Sequence, residues 1–211
     1  MNLEAETDHE SVQPRPTAFV IIGPEGSGKT TQARLLSGKL NRPLIVVSDL
    51  LRERARDDPG EIGLACRDVF ANHTYLDPSL VGRIVTDRLS QDDTSGGFVL
   101  DGGNRTVEET EHFPQTLESA NRQEMKIVIL SLRLSGWESM ERLFGRGRED
   151  DTVEGALSRL GRFYNRLGER ASVMRRNWEF IQVDARGSDE DNKEKSMQEV
   201  NERIIKRLEI L

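Results

Sequence analysis

The feature that most constrains this chain is a glycine-rich loop near its N-terminus, between an apolar run and a helical pattern. The run Phe19–Ile22 meets GPEGSGKT at residues 23–30, which matches the phosphate-binding pattern G-x-x-x-x-G-K-[ST]. The glycines let the backbone curl so that several N–H groups face one anion, and the dipole of the next helix favours the same charge. Lys29 supplies a positive charge for the outer phosphates of a nucleotide, and Thr30 can reach a Mg²⁺ ion. We therefore expect a strand, a nucleotide-binding loop and a helix in this order.

Charge and cysteine content narrow the partners and the compartment. The net charge of −7 argues against binding to nucleic acid or to a membrane surface. Cys66 is the only cysteine, so one chain can form neither a disulfide framework nor a thiolate zinc cluster, and a reducing, cytoplasmic setting is expected. No apolar run approaches the roughly 18–20 residues that cross a bilayer. Residues 1–16 are acidic and polar, which indicates a flexible tail rather than a targeting signal.

Short apolar runs alternate with helical patterns along the rest of the chain. The predicted strands are Ala18–Ile22, Leu44–Val47, Phe98–Leu100, Lys126–Leu132 and Phe180–Val183. The predicted helices cover 28–40, 48–57, 61–72, 78–90, 106–120, 136–145, 151–176 and 192–210. This alternation is typical of an α/β fold, in which helices cover both faces of a five-stranded parallel sheet. We expect one such domain over residues 17–211, with ligands beyond the carboxyl ends of the strands.

Two segments contain more than a simple strand–helix–strand connection needs. Residues 48–90 hold only helical patterns, which indicates a small helical subdomain over the sheet. Residues 142–160 hold a cluster of arginines around Gly145-Arg146-Gly147-Arg148. Both segments are candidates for lids that move over a bound ligand.

A carboxylate and an arginine follow the third predicted strand. Asp101 directly follows that strand, at the position from which a carboxylate holds Mg²⁺ opposite a phosphate loop, directly or through water. Thr106 and Glu109 form a capping-box pattern that predicts the start of a helix. Arg105 stands just before this helix, where its charge opposes the helix dipole and calls for a nearby anion.

Further arginines indicate a reaction rather than binding alone. From Arg159, the spacing to Arg162, Arg166 and Arg170 predicts one face of one helix. Guanidinium groups that converge on one point, including those of Arg146 and Arg148, repel each other unless phosphates lie between them. Phosphoryl transfer needs such a site, because its transition state is stabilised mainly by positioning and by opposite charge.

The chain resembles the adenylate kinase family of nucleoside monophosphate kinases over nearly its whole length. The motifs appear in the family order: GPEGSGKTTQ, then SDLLR after a strand, then DGGNRT, then RGREDD with an arginine eleven residues after Arg148. The resemblance implies a P-loop kinase fold and a monomeric enzyme that uses ATP, Mg²⁺ and a nucleoside monophosphate. It implies a monophosphate-binding insertion at 48–77 and a short lid at 142–152, since only Gly147 separates Arg146 from Arg148. A lid of this length has no room for a zinc site.

The resemblance also assigns roles to individual residues. The ATP-binding set would be Glu25, Gly26, Ser27, Gly28, Lys29, Thr30, Thr31, Arg142 and Gly187, with Arg142 stacked on the base and the backbone near Gly187 meeting the adenine. The monophosphate-binding set would be Val47, Arg52, Leu76, Gly102, Asn104, Arg105, Glu109, Arg148 and Arg159. The catalytic set would be Lys29, Arg105, Arg146, Arg148 and Arg159, with Asp101 orienting Mg²⁺ through water and Thr30 as a further metal contact.

Three departures from the family pattern concern the acceptor base. Val47 stands where the family usually has threonine, Gly103-Asn104 replaces Phe-Pro, and Glu109 replaces a glutamine that reads adenine. An ionised carboxylate only accepts hydrogen bonds, so Glu109 would suit the adjacent N–H donors of guanine or the exocyclic amine of cytosine. The alternative is that Glu109 only caps its helix and does not contact the base.

AMP is the expected acceptor, with a CMP, UMP or GMP kinase as one alternative. GKTTQ is also similar to thymidylate kinases, although DGGNRT and RGREDD fit the adenylate kinase pattern better. An adenylate-kinase-like regulatory ATPase, which binds nucleotide without turning over an acceptor, is the alternative from another class.

Overall fold

The computed structural model describes residues 15–72, 74–145, 152–188 and 192–209. Within these ranges the strands are β1 (Thr17–Ile22), β2 (Leu44–Val46), β3 (Val99–Asp101), β4 (Lys126–Arg133) and β5 (Glu179–Asp184). The helices are α1 (Lys29–Leu40), α2 (Val47–Asp57), α3 (Glu61–Asn72), α4 (Pro78–Leu89), α5 (Val107–Ser119), α6 (Gly136–Phe144), α7 (Val153–Tyr164), α8 (Leu167–Asn177) and α9 (Lys193–Leu208).

The strands form one parallel sheet in the order β2-β3-β1-β4-β5. The α/β class, the five strands and their parallel direction confirm the prediction from sequence. The order puts β1 in the centre, between β3 and β4, and aligns Ile21 with Asp101. The loop after β1 and the residues after β3 therefore emerge side by side at the carboxyl edge, where ligands of such sheets bind.

Alternation along the central strands divides the core between the two faces of the sheet. In β4, Ile127 and Ile129 belong to one buried cluster, whereas Val128, Leu130 and Leu132 belong to the other. Neighbouring side chains of a strand point to opposite faces, so a strand covered on both sides is apolar throughout. Burial of each such aliphatic side chain contributes about 1.5–3 kcal/mol to stability.

Different helices cover the two faces. Helices α1 and α9 cover one face, through Leu36 and Ile204 among others. Helices α5 and α8 contribute Phe113 and Met174 to the other cluster. That second cluster extends into α2, α3 and α4, the helical material between β2 and β3, so the insertion is anchored to the main core.

Two predicted boundaries are wrong in ways that matter for the site. Val47 begins α2 instead of ending β2, and its side chain is buried. The stretch 151–176, predicted as one helix, is two helices, because Asn165 has an extended ψ of 125° and Arg166 adopts a left-handed φ of 52°. The predicted tail falls mostly on residues 1–14, which lie outside the described residues.

Candidate active site

The glycine-rich loop joins β1 to α1 with two residues in left-handed backbone conformation. Gly26 and Gly28 both have φ of 82°. A Cβ atom on Gly26 would lie only 2.9 Å from the backbone oxygen of Ser139 in α6. Gly26 is thus required both by its φ angle and by the close approach of α6, which fixes the shape of the loop.

The first turn of α1 is open for an anion. Its N-cap, Gly28, provides no side-chain hydrogen bond, and the first turn has no acidic residue. The first N–H groups of a helix have no partner within the helix, and the helix dipole makes this end positive. Lys29 curls back over the loop, where its Nζ donates to the carbonyl of Pro24 at 2.9 Å. Backbone donors and one mobile cation are thereby brought together as the motif predicts.

Asp101 closes the opposite side of the loop. Thr30 Oγ1 donates a hydrogen bond of 2.6 Å to Asp101 Oδ2, and Asp101 is 3% exposed. Burial raises the pKa of this carboxyl, while the Thr30 hydrogen bond and the charge of Lys29 oppose the rise. A hydroxyl and a carboxylate that share a hydrogen bond beside a phosphate loop are the oxygen donors that Mg²⁺ prefers, so these residues fit the ion.

The donor end of the site is bounded by Arg142 and by the segment after β5. The Arg142 guanidinium donates to the carbonyl of Ala185 at 3.2 Å and to that of Gly26 at 3.4 Å. It therefore bridges the phosphate loop and the end of β5. Gly187 packs directly against Ser196 of α9, where a side chain would collide. Stacking of Arg142 on a base stays a prediction, since its guanidinium is bonded to backbone in this structure.

A cleft that is partly open to solvent begins at the phosphate loop and runs under α2 and α3. Lys29 and Glu25 line it on the loop side, and Ser48, Leu51 and Phe70 line it on the side of the insertion. Its basic lining residues are Lys29, Arg105, Arg159, Arg162 and Arg170. Positive charge from three separate segments of the chain thus faces one space beside the loop, which suits an anionic ligand with more than one phosphate.

Arg105 is held at the cleft by contacts at both ends of its own backbone. Its N–H donates to Glu109 Oε2 at 2.9 Å, and its carbonyl accepts from Arg170 Nη1. Its side chain is steadied separately, because Nε donates to the carbonyl of Gly102 at 2.7 Å. The residue that the sequence places at the mouth of the site is therefore fixed by groups from α5 and α8.

Glu109 folds back on the chain instead of presenting its whole carboxylate to a ligand. Its backbone N–H donates to Thr106 Oγ1 at 3.0 Å, so one of the two hydrogen bonds of the predicted capping box is formed. Its carboxylate takes the N–H of Arg105, and Glu109 is only 7% exposed. One carboxylate oxygen is thus committed to the backbone, which weakens the reason for expecting a base with two adjacent donors.

The turn before Arg105 has an unusual backbone. Gly102 has a φ angle of 86° and Asn104 has a φ angle of 56°. Both values lie in the left-handed region, which residues other than glycine rarely adopt. Gly103 and Asn104 both line the cleft, and Asn104 is nearly buried. A second, smaller cavity between α4 and α5 also touches Gly103, Asn104 and Glu109. The turn that departs from the family pattern thus separates two spaces.

Other predicted residues of the acceptor site lie away from the cleft lining in this structure. Arg52 pairs with Asp49 at 2.7 Å, and its guanidinium lies 5.7 Å from the ring centre of Phe70. Val47 and Leu76 are buried in the core, at 2% and 5% exposed. Arg146 and Arg148 lie outside the described residues. Their roles stay predictions.

The predicted row of arginines on one helix face is wrong beyond Arg162, because the helix breaks. Arg166 points to the surface and pairs with Glu108 at 2.6 Å and with Glu169 at 2.7 Å. Arg170 belongs to α8 and is 2% exposed, with Nη2 donating to the carbonyl of Phe163 at 3.4 Å. Arg159, Arg162 and Arg170 still reach the cleft, but from two helices.

The cleft lining includes Arg162, Arg170 and Tyr75, which are absent from the binding and catalytic sets predicted from sequence. Arg162 follows Arg159 by three positions, so the helical period already puts the two side chains on neighbouring parts of one face. Tyr75 gave no such signal, since its position depends on contacts between segments far apart in the chain. The spacing did include Arg170 in the row from Arg159, but it did not predict that Arg170 belongs to a separate helix. Tyr75 lies in the segment between α3 and α4 and faces Arg105 and Arg162.

Replacing Glu109 with glutamine is expected to make the protein more stable near neutral pH. Burial raises the pKa of Glu109, against the opposing effects of the Arg105 N–H and the charges of Arg105 and Arg170. A raised pKa in the folded state means that the stability contributed by the protonated form is present at low pH and is lost as the pH rises through that pKa. Each pKa unit corresponds to about 1.4 kcal/mol. The free energy of unfolding, measured with denaturant between about pH 4 and pH 7.5, should therefore favour E109Q increasingly as the pH rises.

The neighbouring Glu108 offers a control of opposite sign. Its own backbone N–H and the Arg166 side chain lower its pKa, so its contribution to stability is lost as the pH falls. E108Q should therefore be less stable than the unchanged protein near neutral pH and should approach it in acid. The same pH dependence in both variants would contradict the assignment of a buried, high-pKa carboxyl to Glu109.

In the part of the chain that the structure describes, no group of three or more histidine, cysteine, aspartate or glutamate side chains is arranged to hold a metal ion. None of the helices in the same ranges combines the length and the apolar character needed to cross a membrane.

Comparison with known proteins gives one family. The family model described as adenylate kinase matches residues 21–209. A protein named adenylate kinase from Mycobacterium sp. (strain MCS) is 37% identical over 142 residues, which covers 67% of this chain and 77% of that protein. The adenylate kinase of Kocuria rhizophila is 34% identical over 197 residues, or 92% of this chain and 99% of its own. That of Pseudarthrobacter chlorophenolicus is 30% identical over 188 residues, or 87% and 96%.

Proposed function

The chain belongs to the adenylate kinase family, and we propose that it transfers the γ-phosphoryl group of ATP to AMP, giving two molecules of ADP. The observation that carries the proposal is the single cleft that Lys29 and the phosphate loop share with Arg105 and Arg159. A site for one nucleotide needs only the loop. Cations on the opposite wall supply what a second phosphate-bearing substrate requires.

The reaction needs no general base from the protein. An oxygen of the AMP phosphate, which is already an anion, attacks the γ-phosphorus of ATP. The bond from that phosphorus to the β,γ-bridging oxygen breaks, and the electron pair leaves with ADP, so no proton is transferred. The contribution of the protein is then to align the two phosphates and to stabilise charge that spreads over the transferred group.

Each half of the site holds one substrate. The loop N–H groups, the first turn of α1 and Lys29 hold the ATP phosphates. Arg105 holds the phosphate of AMP, and Arg159 lies between the two substrates, where charge develops during transfer. Arg146 and Arg148 join them in the proposal as further ligands of the moving group.

Mg²⁺ would be held by Asp101, through water, and by Thr30. These are the residues whose mutual hydrogen bond of 2.6 Å marks an oxygen-donor site at the edge of the loop. When bound, the ion neutralises charge on the ATP phosphates. Asp101, at the end of β3, would hold the ion beside the phosphate loop.

Closure of two segments would exclude water, which otherwise accepts the phosphoryl group and wastes ATP. We assign residues 48–77 to the acceptor-binding segment and residues 142–152 to a short lid over ATP. Support for the first comes from Leu51, Val69 and Phe70, which line the cleft and give it an apolar wall suited to a base. We further propose that the enzyme works as a monomer in the reducing cytoplasm, consistent with a single, buried cysteine, Cys66.

A coupled assay of ADP formation with ATP and each of AMP, GMP, CMP, UMP and dTMP tests the function. The kcat/KM value should be highest with AMP, by about tenfold or more over each other acceptor. A higher value with another monophosphate would replace the acceptor and keep the reaction. One slow rate of ADP formation whatever the acceptor would refute the kinase and indicate an ATPase.

A further inference from the structure

The side chain of Tyr75 joins two arginines that come from distant parts of the chain. The guanidinium carbon of Arg105 lies 5.9 Å from the centre of the Tyr75 ring, and that of Arg162 lies 5.5 Å from it. All three residues line the same cleft. Attraction between a guanidinium and an aromatic face contributes about 0.5–2 kcal/mol, which is enough to orient both side chains.

Arg162 has unused hydrogen-bonding capacity in this position. Its Nε is buried and has no hydrogen-bond partner within the described ranges. A buried donor without a partner costs about 1–3 kcal/mol, so such a group in the wall of a cleft points to a ligand that satisfies it. Arg166, four positions further on, is instead paired at the surface with Glu108 and Glu169.

Two guanidinium groups on one ring repel each other unless an anion lies between them. A phosphate monoester fits, because its oxygens accept the parallel N–H donors of an arginine and its double charge balances two cations. Arg105 is already proposed to hold the acceptor phosphate. Tyr75 comes from the segment between α3 and α4 and lines the same cleft as Phe70 and the phosphate-loop residue Lys29.

We propose that Arg162 is a second ligand of the acceptor phosphate, which it grips together with Arg105 against the ring of Tyr75. This inference rests on the proposed function for the identity of the acceptor. It adds a binding residue from α7, one helical turn after Arg159, so that a single helix contacts both the transferred group and the acceptor. Binding of AMP then draws α7 and the loop before α5 together.

The test compares Arg162→Met and Arg162→Lys with the unchanged protein and with Arg166→Met as the matched control. The dissociation constant of AMP is measured by calorimetry without ATP, and KM is measured separately for AMP and for ATP. Arg162→Met should weaken AMP binding about 10- to 100-fold, the loss expected for hydrogen bonds to a charged group, and should change the KM of ATP by less than about twofold. Arg162→Lys keeps the positive charge but not the planar guanidinium, so its affinity for AMP should lie between those of the unchanged protein and Arg162→Met. Arg166→Met should leave AMP binding unchanged.

Two results would overturn the inference. AMP affinity within about twofold of the unchanged protein in both Arg162 variants would show that Arg162 is not a ligand. An equal rise in the KM values for AMP and ATP would show that Arg162 contacts the transferred group or the ATP phosphates instead of the acceptor phosphate. If thermal unfolding shows that Arg162→Met does not fold, Arg162→Lys decides by the same criteria.

The proposed function is tested separately, by the turnover of the unchanged protein in the coupled assay of ADP formation. If it turns over a monophosphate other than AMP, the acceptor is reassigned, and the same variants are titrated with that acceptor. If it turns over none, the kinase reaction is refuted. AMP binding by the unchanged and variant proteins still reports on the role of Arg162.

Discussion

Replacing Lys29 with methionine is expected to lower kcat about 10³-fold or more, without unfolding the protein. Lys29 is the cation of the phosphate loop, and its amino group lies over that loop, bonded to the carbonyl of Pro24. With ATP bound, the amino group would follow the charge that moves during transfer, a contribution that methionine cannot make. The coupled assay with AMP measures kcat, and circular dichroism checks the fold.

Lys39 provides the control for this substitution. It lies in the last turn of the same helix, α1, and is exposed. Lys39→Met removes the same charge from the same helix at the end remote from the loop, and activity should stay close to normal. If Lys29→Met kept more than about a tenth of the activity, the role assigned to the loop lysine would be wrong.

Replacing Arg105 with alanine is expected to lower turnover about 10²- to 10³-fold with the fold intact. The hydrogen bonds to Glu109 and Arg170 use the backbone of Arg105, so alanine retains them. What is lost is the guanidinium in the cleft, its bond to Gly102 and its contact with Tyr75. Separate measurements of kcat and of KM for AMP should show the loss, and KM for ATP should change little.

Arg56→Ala is the matched control, since Arg56 is exposed and pairs only with its neighbour Asp57 among the described residues. It should leave both kinetic constants near their normal values. Near-normal turnover in Arg105→Ala would contradict the role of Arg105 and would leave the acceptor half of the site without its central cation.

Local patterns in the sequence predicted those parts of the molecule that depend on few neighbours. The phosphate loop follows from its glycines and Lys29, and the strands follow from apolar runs bounded by turns. The order of the strands does not follow, because it depends on pairings between segments far apart in the chain. The cap at Thr106 was predicted because its partner, Glu109, is three residues away.

Other features of the site depend on contacts that no local pattern contains. The break between α7 and α8 has no glycine or proline at its centre, and Arg166 pairs there with Glu108, 58 positions away. The choice of Glu109 between a ligand and the backbone was open in the sequence, and the N–H of Arg105 decides it. Arginine is usually exposed at protein surfaces, yet Arg170 is buried and donates to the carbonyl of Arg105.

Attachment of Arg105 at both ends of its backbone has an evolutionary consequence. Glu109 and Arg170 have opposite charges, are both buried, and meet only through the residue between them. Loss of either side chain would release one end of the Arg105 backbone and change what the other contact contributes, so the effects of the two losses should not be additive. Lineages of this enzyme can then exchange the pair as a unit more readily than one member at a time.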